Sequence, residues 1–270
     1  MGGYRSLRGV RAAGLVSLPG FVLWYLLPLG MTFWYAFVEN AFHHRFAGLR
    51  NFSAVMENQW FRLGSTNLLL LGTYMVLAAT LLAVALALLL LRHPELTGIS
   101  AVVLILPLLI PSVSAVAMWK LFFEVHSILR PLASRIALST LFLWKTVGAC
   151  TMLLVTDLRR VPGEILDAAA LDGAGSFRRY VSVQLPIIGR TVLLCVILLL
   201  MFLLRVYKES WLLFGDAPGK KLYLLQHFMS QQFRLMRFQN VAAAAVIMTA
   251  CSLFFYAVSM LILRTRRRGL

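Results

Sequence analysis

Six long apolar segments constrain this chain more than any other feature of its sequence. Each could form a helix of about 20 apolar residues, the length that crosses the hydrocarbon core of a bilayer. Charged residues make up 13% of the 270 residues and hydrophobic ones 60%, whereas soluble domains carry about 25% charged residues. We predict an all-α membrane protein, a single domain over residues 1–270, with transmembrane helices at about 14–38, 65–91, 99–122, 136–158, 187–207 and 241–263.

Basic residues at both ends of the chain predict its orientation. Six spans bring the two termini to one side, and the positive-inside rule places clustered arginines in the cytoplasm. Over the whole chain the Lys and Arg residues outside the spans are divided almost equally between the two sides, so the prediction of cytoplasmic termini depends on the terminal clusters. The net charge of +16 fits anionic lipid headgroups better than nucleic acid. The clusters contain Arg5, Arg8, Arg11, Arg264, Arg266, Arg267 and Arg268.

The loop at residues 159–186 carries the most distinctive sequence, which reads VPGEILDAAALDGAGSFRRYVSVQLP from residue 161. Pro162 suits the first turn of a helix, and Glu164 and Asp167 favour the positive end of the helix dipole. Asp172-Gly173 should end this helix, because glycine tolerates the positive φ of a helix C-terminus. The pattern predicts a short helix of about ten residues that is too polar to span a membrane.

A second short helix is predicted from Phe177 to Gln184, with Ser176 as its cap and Pro186 as its end. The residues alone leave two interpretations open for this helix-turn-helix loop. It could be a rigid lever for a soluble partner, which a slim alanine face would let approach closely. It could also be an amphipathic connector that lies on the membrane surface, which is the interpretation that the residues alone favour.

The loop resembles the cytoplasmic loop of bacterial ATP-binding-cassette (ABC) importer permeases, written EAA, then G, then I-x-LP. The matching residues are Asp167-Ala168-Ala169, Gly173 and Val183-Gln184-Leu185-Pro186, with Asp in place of the first Glu. The run ALDGAG is especially similar to maltose-type sugar permeases. The resemblance extends to SLPGFVLWYLLP, FAGLRNFSAVM and ILPLLIPSVSAVAMWKLFF, whereas GDAPGKK departs from the Gly-Gly-Pro-type turn of that family.

This resemblance implies a type I ABC importer permease fold with a cytoplasmic coupling helix at about Pro162–Leu171. It implies a multi-pass protein of the bacterial plasma membrane that translocates a sugar or oligosaccharide and is not itself an enzyme. The implied partners are a second permease subunit, two ATPase subunits that bind ATP and Mg, and an extracytoplasmic solute-binding protein; this chain would bind no cofactor. The implied ATPase-coupling residues are Glu164, Asp167, Ala168, Ala169, Asp172 and Gly173.

Candidates for the substrate path are polar or aromatic residues in or beside the predicted spans. A charge inside a span is costly and usually faces a cavity or a partner. Lys145 could therefore line a path, extend its ammonium to the interface, or pair with the second subunit. Pro107 and Pro111 predict a kink in the third span, either beside the path or merely packed. The candidates are Lys120, Trp144, Lys145, Tyr207, Lys208 and Glu209.

Other chemistry is disfavoured by spacing. The run from Gly215 to Lys221 is one residue short of a phosphate-binding loop and reads as a turn. His43 and His44 lack nearby zinc ligands, and no hydrolase motif occurs. A stand-alone secondary transporter is the alternative, but it would normally show internal repeats and acidic residues within spans. The cysteines, interpreted as small buried apolar residues, are Cys150, Cys195 and Cys251.

Overall fold

A computed structural model describes residues 19–39, 45–125 and 133–265. The terminal arginines Arg5, Arg8, Arg11 and Arg266–Arg268, and the His43-His44 pair, lie outside these ranges. Within them the chain is almost wholly helical, as the apolar runs predict. The helices, with bounds, are α1 (Leu27–Ala36), α2 (Arg50–Glu57), α3 (Gln59–Arg92), α4 (Thr97–Leu109), α5 (Ser112–Val125), α6 (Ala133–Leu158), α7 (Gly163–Leu171), α8 (Ser176–Arg179), α9 (Leu185–Ile187), α10 (Gly189–Leu203), α11 (Tyr207–Phe214), α12 (Gly219–Leu222), α13 (Leu225–Arg234) and α14 (Phe238–Thr265).

Three helices in the described part of the chain are long and apolar enough to cross a membrane: α3, α6 and α14. Two bent pairs of helices would raise that number to five if each pair were one span. The first predicted span is described only from residue 19 onward, where a π-helical turn at Val22–Leu26 leads into α1. The prediction of six spans therefore stays a prediction.

The third predicted span is not one straight helix. The segment Pro94–Leu109 and the segment Ser112–Phe123 meet at 100°. Ile110 is extended, with φ −70° and ψ 127°, because the residue before a proline is pushed out of the helical region. Pro107 lies inside α4 and is buried. Of the two prolines, Pro111 thus marks the break and Pro107 is accommodated by packing.

The segment before α10 also differs from its prediction. Ser176–Arg179, a π-helical stretch at Tyr180–Gln184 and α9 follow one another without a break, so helix continues past Pro186. The bend of 65° falls instead between Ile187 and Gly189. Pro186 lies within this continuous helical stretch, just after the π-helical turn, and has no N–H to donate.

The chain divides into two compact units. One contains the residues up to Arg62 together with Phe228–Leu253. In this unit the Asn51 side-chain amide donates to the carbonyl oxygens of Ala36 (3.0 Å) and Val38 (2.8 Å), which anchors α2 to the end of α1. The Phe61 ring meets the Phe228 ring edge to face, with centroids 5.5 Å apart.

The second unit contains Leu63–His227 and the residues from Phe254 onward. Its core is formed mainly by α3, α6 and α10, and α3 contributes the fully buried small residues Ala79, Ala83 and Ala87. Small residues let helix backbones approach closely in a membrane protein. Nothing in this division tests the prediction of a single domain over residues 1–270.

Candidate translocation cavity and the loop between α6 and α10

The short helix α7 stands out because none of its residues is buried. Leu171, at its C-terminal end, is 90% exposed. Pro162 is the residue before the helix rather than the first residue within it, with φ −60° and ψ 135°. The helix is therefore an exposed surface of the chain.

Gly173 ends α7 in the way that the sequence predicts. Its φ is +79°, a conformation that residues with a Cβ rarely adopt. The N–H of Gly173 donates to the Ala170 carbonyl, and the N–H of Ala174 donates to the Ala169 carbonyl, both at 3.0 Å. These two bonds form a Schellman motif, which sets the direction in which the chain leaves the helix.

The residues predicted to couple to an ATPase all lie on or directly after this helix. Ala169 is half-buried, and the other five are exposed: Glu164, Asp167, Ala168, Asp172 and Gly173. They share one protruding element, but their role is untested.

Three polar contacts attach the loop and its surroundings to neighbouring helices. The Arg92 guanidinium lies over the Tyr180 ring, 5.2 Å from its centroid, and its Nε is 3.3 Å from the Tyr180 hydroxyl. Arg159 donates to the Thr97 hydroxyl at 2.6 Å. The sequence analysis missed these contacts, because the partners are 88 and 62 positions apart. The third contact joins Thr191 to Asp157 at 2.6 Å.

A cavity of about 430 Å³ lies in the second unit where α4 breaks into α5. Residues Leu108–Ser112 form one wall, and α6 and the segment Phe202–Glu209 form the others. The cavity exists here because the 100° break at Pro111 prevents α4 and α5 from closing against α6 as one continuous helix. The residues predicted for a substrate path that line it are Lys145, Lys208 and Glu209.

Lys145 and Glu209 form an ion pair in this cavity. The Lys145 Nζ is 3.0 Å from the Glu209 Oε1, and the two side chains are only 13% and 14% exposed. The Ser112 hydroxyl donates to the same carboxylate oxygen at 2.7 Å and accepts from Lys145 at 3.0 Å. Lys145 thus lines a cavity, and its partner is Glu209 of the same chain, a pairing that was not among the alternatives.

The other three candidates for the path lie outside the cavity lining. Trp144 packs edge to face against Trp119, with centroids 5.7 Å apart. Tyr207 packs in the same way against His227, with centroids 4.8 Å apart. Lys120 is half-buried on α5.

Three polar residues of the cavity lining were not among the candidates for the path: Ser112, Thr146 and Arg205. Ser112 follows Pro111 directly, so a hydroxyl next to a helix-breaking proline was the available signal. Arg205 follows the last apolar residues of the fifth apolar segment, a position that is typical of an interfacial residue and gives no signal for a cavity.

Two further predictions can be compared with the structure. The run from Gly215 begins as a turn, with Gly215 at φ +71° after α11, and continues as the single helical turn α12. Cys150 and Cys195 are buried as predicted. The prediction for Cys251 was wrong: it is exposed, because nothing in the described chain covers its face of α14.

Long apolar helices and a broken helix beside a charged cavity of about 430 Å³ are typical of a membrane transport protein. Comparison with curated proteins gives the class more closely. The trehalose/maltose transport system permease protein MalF of Thermococcus litoralis is 24% identical, over 91% of this chain and 90% of that protein. The diacetylchitobiose uptake system permease protein NgcF of Streptomyces coelicolor is 26% identical, over 94% of this chain and 82% of that protein. No protein-family model matches the chain.

Solved structures show the same fold. A bacterial ABC transporter involved in the import of the acidic polysaccharide alginate contains a chain that superposes with a TM-score of 0.76 at 15% identity, covering 98% of both chains. A second structure, of a bacterial alginate ABC transporter in complex with an alginate pentasaccharide-bound periplasmic protein, gives 0.73 at 16% identity, covering 96% of this chain and 94% of that one. The chain therefore has the fold of these ABC transporter chains, and its sequence is similar to maltose-type sugar permeases.

Proposed function

We propose that this chain forms the path by which a sugar or oligosaccharide, delivered by a solute-binding protein, enters the cell. The similarity over nine-tenths of the chain to permeases of sugar uptake systems carries this conclusion. The cavity beside the α4–α5 break is the site in this chain best suited to a polar solute, because it offers charged and hydroxyl groups within an otherwise apolar protein.

The second part of the proposal concerns α7, which we assign as the helix that receives the motion of an ATPase subunit. Three features support this assignment: the helix is exposed, Leu171 is 90% exposed, and the positive φ of Gly173 sets the direction of the chain after the helix. A rigid protruding helix transmits force only if its base is attached. The contacts of Tyr180 with Arg92 and of Thr191 with Asp157 supply that attachment.

The mechanism that follows is alternating access. ATP and Mg bind to separate ATPase subunits, and the movement of those subunits displaces α7. The displacement passes through the base of the loop to α6 and α10, which line or flank the cavity. The permease is thus the two-state element whose equilibrium both ATP and the loaded binding protein shift.

The proposed assembly contains a second permease subunit, two ATPase subunits and an extracytoplasmic binding protein. In the plasma membrane the chain has six spans, with both termini and α7 on the cytoplasmic side. The described helices α3, α6 and α14 and the two bent pairs supply five of these spans, and the segment at residues 14–38 supplies the first.

A pair of glycine variants tests the coupling role. Gly173 and Gly175 both have open space where a Cβ would lie, but only Gly173 has a positive φ, at +79°. Gly173→Ala should therefore strain the exit from α7, at a cost of about 1–2 kcal/mol, whereas Gly175→Ala should be tolerated. In proteoliposomes that contain the complete transporter, we expect Gly173→Ala to lower sugar uptake per ATP hydrolysed several-fold.

Equal uptake ratios for the two variants, with normal assembly, would remove α7 from the coupling path. Co-purification adds a second test, because an ATPase subunit should bind the wild-type permease and bind a Leu171→Asp variant less. Uptake that needs an ion gradient and proceeds without ATP would instead favour a secondary transporter.

A further inference from the structure

The lining of the α4–α5 cavity contains more cationic than anionic residues. Lys145, Arg205 and Lys208 are cationic, and Glu209 is the one anionic residue in the lining. Glu209 is paired with Lys145 at 3.0 Å. The pair is close to neutral, so two cations remain without a counter-charge in the lining.

Arg205 and Lys208 are these two cations. Both side chains are exposed, and neither makes an ion pair with any residue in the described ranges. They are joined by one turn, in which the Lys208 N–H donates to the Arg205 carbonyl at 3.2 Å. Their charges therefore act from the same wall of the cavity.

Unpaired cations at the edge of an apolar core are costly unless they contact water, a partner or a ligand of opposite charge. The α4–α5 break does not supply a negative charge for these cations. It exposes the C-terminus of α4 and the N-terminus of α5, which carry opposite partial charges. The two helix dipoles oppose each other, and the side chains set the sign of the potential.

The hydrogen-bonding groups of the cavity side chains also favour an anionic ligand. A guanidinium carries five donors and an ammonium three, and neither has an acceptor. Glu209 Oε1 already accepts from Ser112 and Lys145. A neutral sugar would present hydroxyl groups to a surface made mostly of donors, whereas a carboxylate could accept both N–H groups of the Arg205 fork at once.

We infer that the substrate of this permease is an acidic sugar, one that carries carboxylate groups, and that Arg205 and Lys208 bind those groups during passage. The apolar walls formed by Phe142 and Phe202 are suited to the carbon faces of the sugar rings. This inference rests on the proposed function of sugar import and restricts the substrate to negatively charged sugars.

The test compares two trisaccharides of equal length, one built of uronic acids and one neutral, in proteoliposomes that contain the complete transporter and its binding protein. The wild type should import the acidic trisaccharide. Arg205→Gln combined with Lys208→Gln should reduce that uptake at least tenfold at low salt, with a higher KM. Arg205→Lys combined with Lys208→Arg, which keeps both charges, should retain most of it.

The matched control is Lys221→Gln, since Lys221 is an exposed lysine of α12 that does not line the cavity. Assembly of each variant is checked by its substrate-free ATPase rate and by size-exclusion chromatography. Because the binding protein could itself select acids, the decisive result is the effect of the cavity variants.

Two results would overturn the inference while leaving sugar import intact. One is import of the neutral trisaccharide without the acidic one. The other is import of the acidic trisaccharide at the same rate by the doubly neutralised variant. If ATP is hydrolysed but neither trisaccharide nor any other sugar enters, sugar import itself fails and the inference fails with it.

Discussion

The Thr191 hydroxyl donates a 2.6 Å hydrogen bond to the Asp157 carboxylate and so joins α10 to the end of α6. The loop leaves α6 after Leu158 and returns to α10 at Gly189. The bond therefore closes the base of the loop. A force applied to α7 must either break this bond or move both helices together.

Removal of this bond should weaken the chain and its coupling. Thr191→Val keeps the side-chain shape but deprives Asp157 of a donor, and a hydrogen bond to a charged group contributes about 1.5–3 kcal/mol. We expect a lower thermal unfolding midpoint and less uptake per ATP hydrolysed. Thr156→Val is the control, because Thr156 bonds only to the Met152 carbonyl of its own helix, at 2.8 Å. Equal effects of the two variants would contradict the role of the bond.

The Lys145–Glu209 ion pair should show strong energetic coupling. Lys145→Met or Glu209→Gln alone leaves one charge without its partner in a poorly solvated site, at a cost of about 3–5 kcal/mol. The double variant leaves no unpaired charge from this pair and should lose less stability than the sum of the two single variants. The measurement is a double-mutant cycle: the unfolding midpoints of the wild type, the two single variants and the double variant are compared. Additive losses would show that the two charges do not interact.

Gly148 should not tolerate a side chain. A Cβ at this position would overlap the Leu104 carbonyl, which belongs to the backbone of α4 and cannot rotate away. Gly148→Ala should therefore push α4 off α6, with a loss of about 1–3 kcal/mol and impaired transport. Gly98→Ala has open space and a helical position in α4, so it should be neutral or slightly stabilising. Melting curves that place both variants at the wild-type midpoint would rule out this close packing.

His227 should make the stability of the permease depend on pH. Burial lowers the pKa of His227 from 6.5 to about 4, and the Leu224 N–H donates to its Nδ1 at 3.0 Å. The folded protein holds the neutral ring, whereas the unfolded chain binds a proton below about pH 6.5. The stabilisation is therefore complete above that pH and is lost as the pH falls towards 4.

The measurement for His227 is the difference in unfolding midpoint between pH 7 and pH 4.5. His227→Asn keeps an acceptor near the Leu224 N–H but does not titrate, so its midpoint should fall less than that of the wild type. His93→Asn is the control, since the His93 side chain is 51% exposed. A fall in His227→Asn as large as in the wild type would assign the pH dependence to other groups.

Much of the candidate site could be predicted from local patterns. The helix before Gly173 follows from an alanine-rich run ended by glycine, and its cap needs only residues that are adjacent in the chain. Lys145 and Glu209 could be selected because each is a charge at or near an apolar segment. Their pairing could not, because the two are 64 positions apart and the contact with Ser112 requires the break at Pro111.

The sequence by itself determined that the chain is helical, that its helices belong in a membrane, and where α7 ends. These properties depend on hydrophobic period, length and backbone preference, which are local. Only the tertiary structure decided that α4 and α5 meet at 100°, that Lys145 turns to Glu209, and that Arg205 and Lys208 are left unpaired beside a cavity. Those properties depend on which distant side chains share a poorly solvated space, and an apolar pattern compatible with many packings does not specify them.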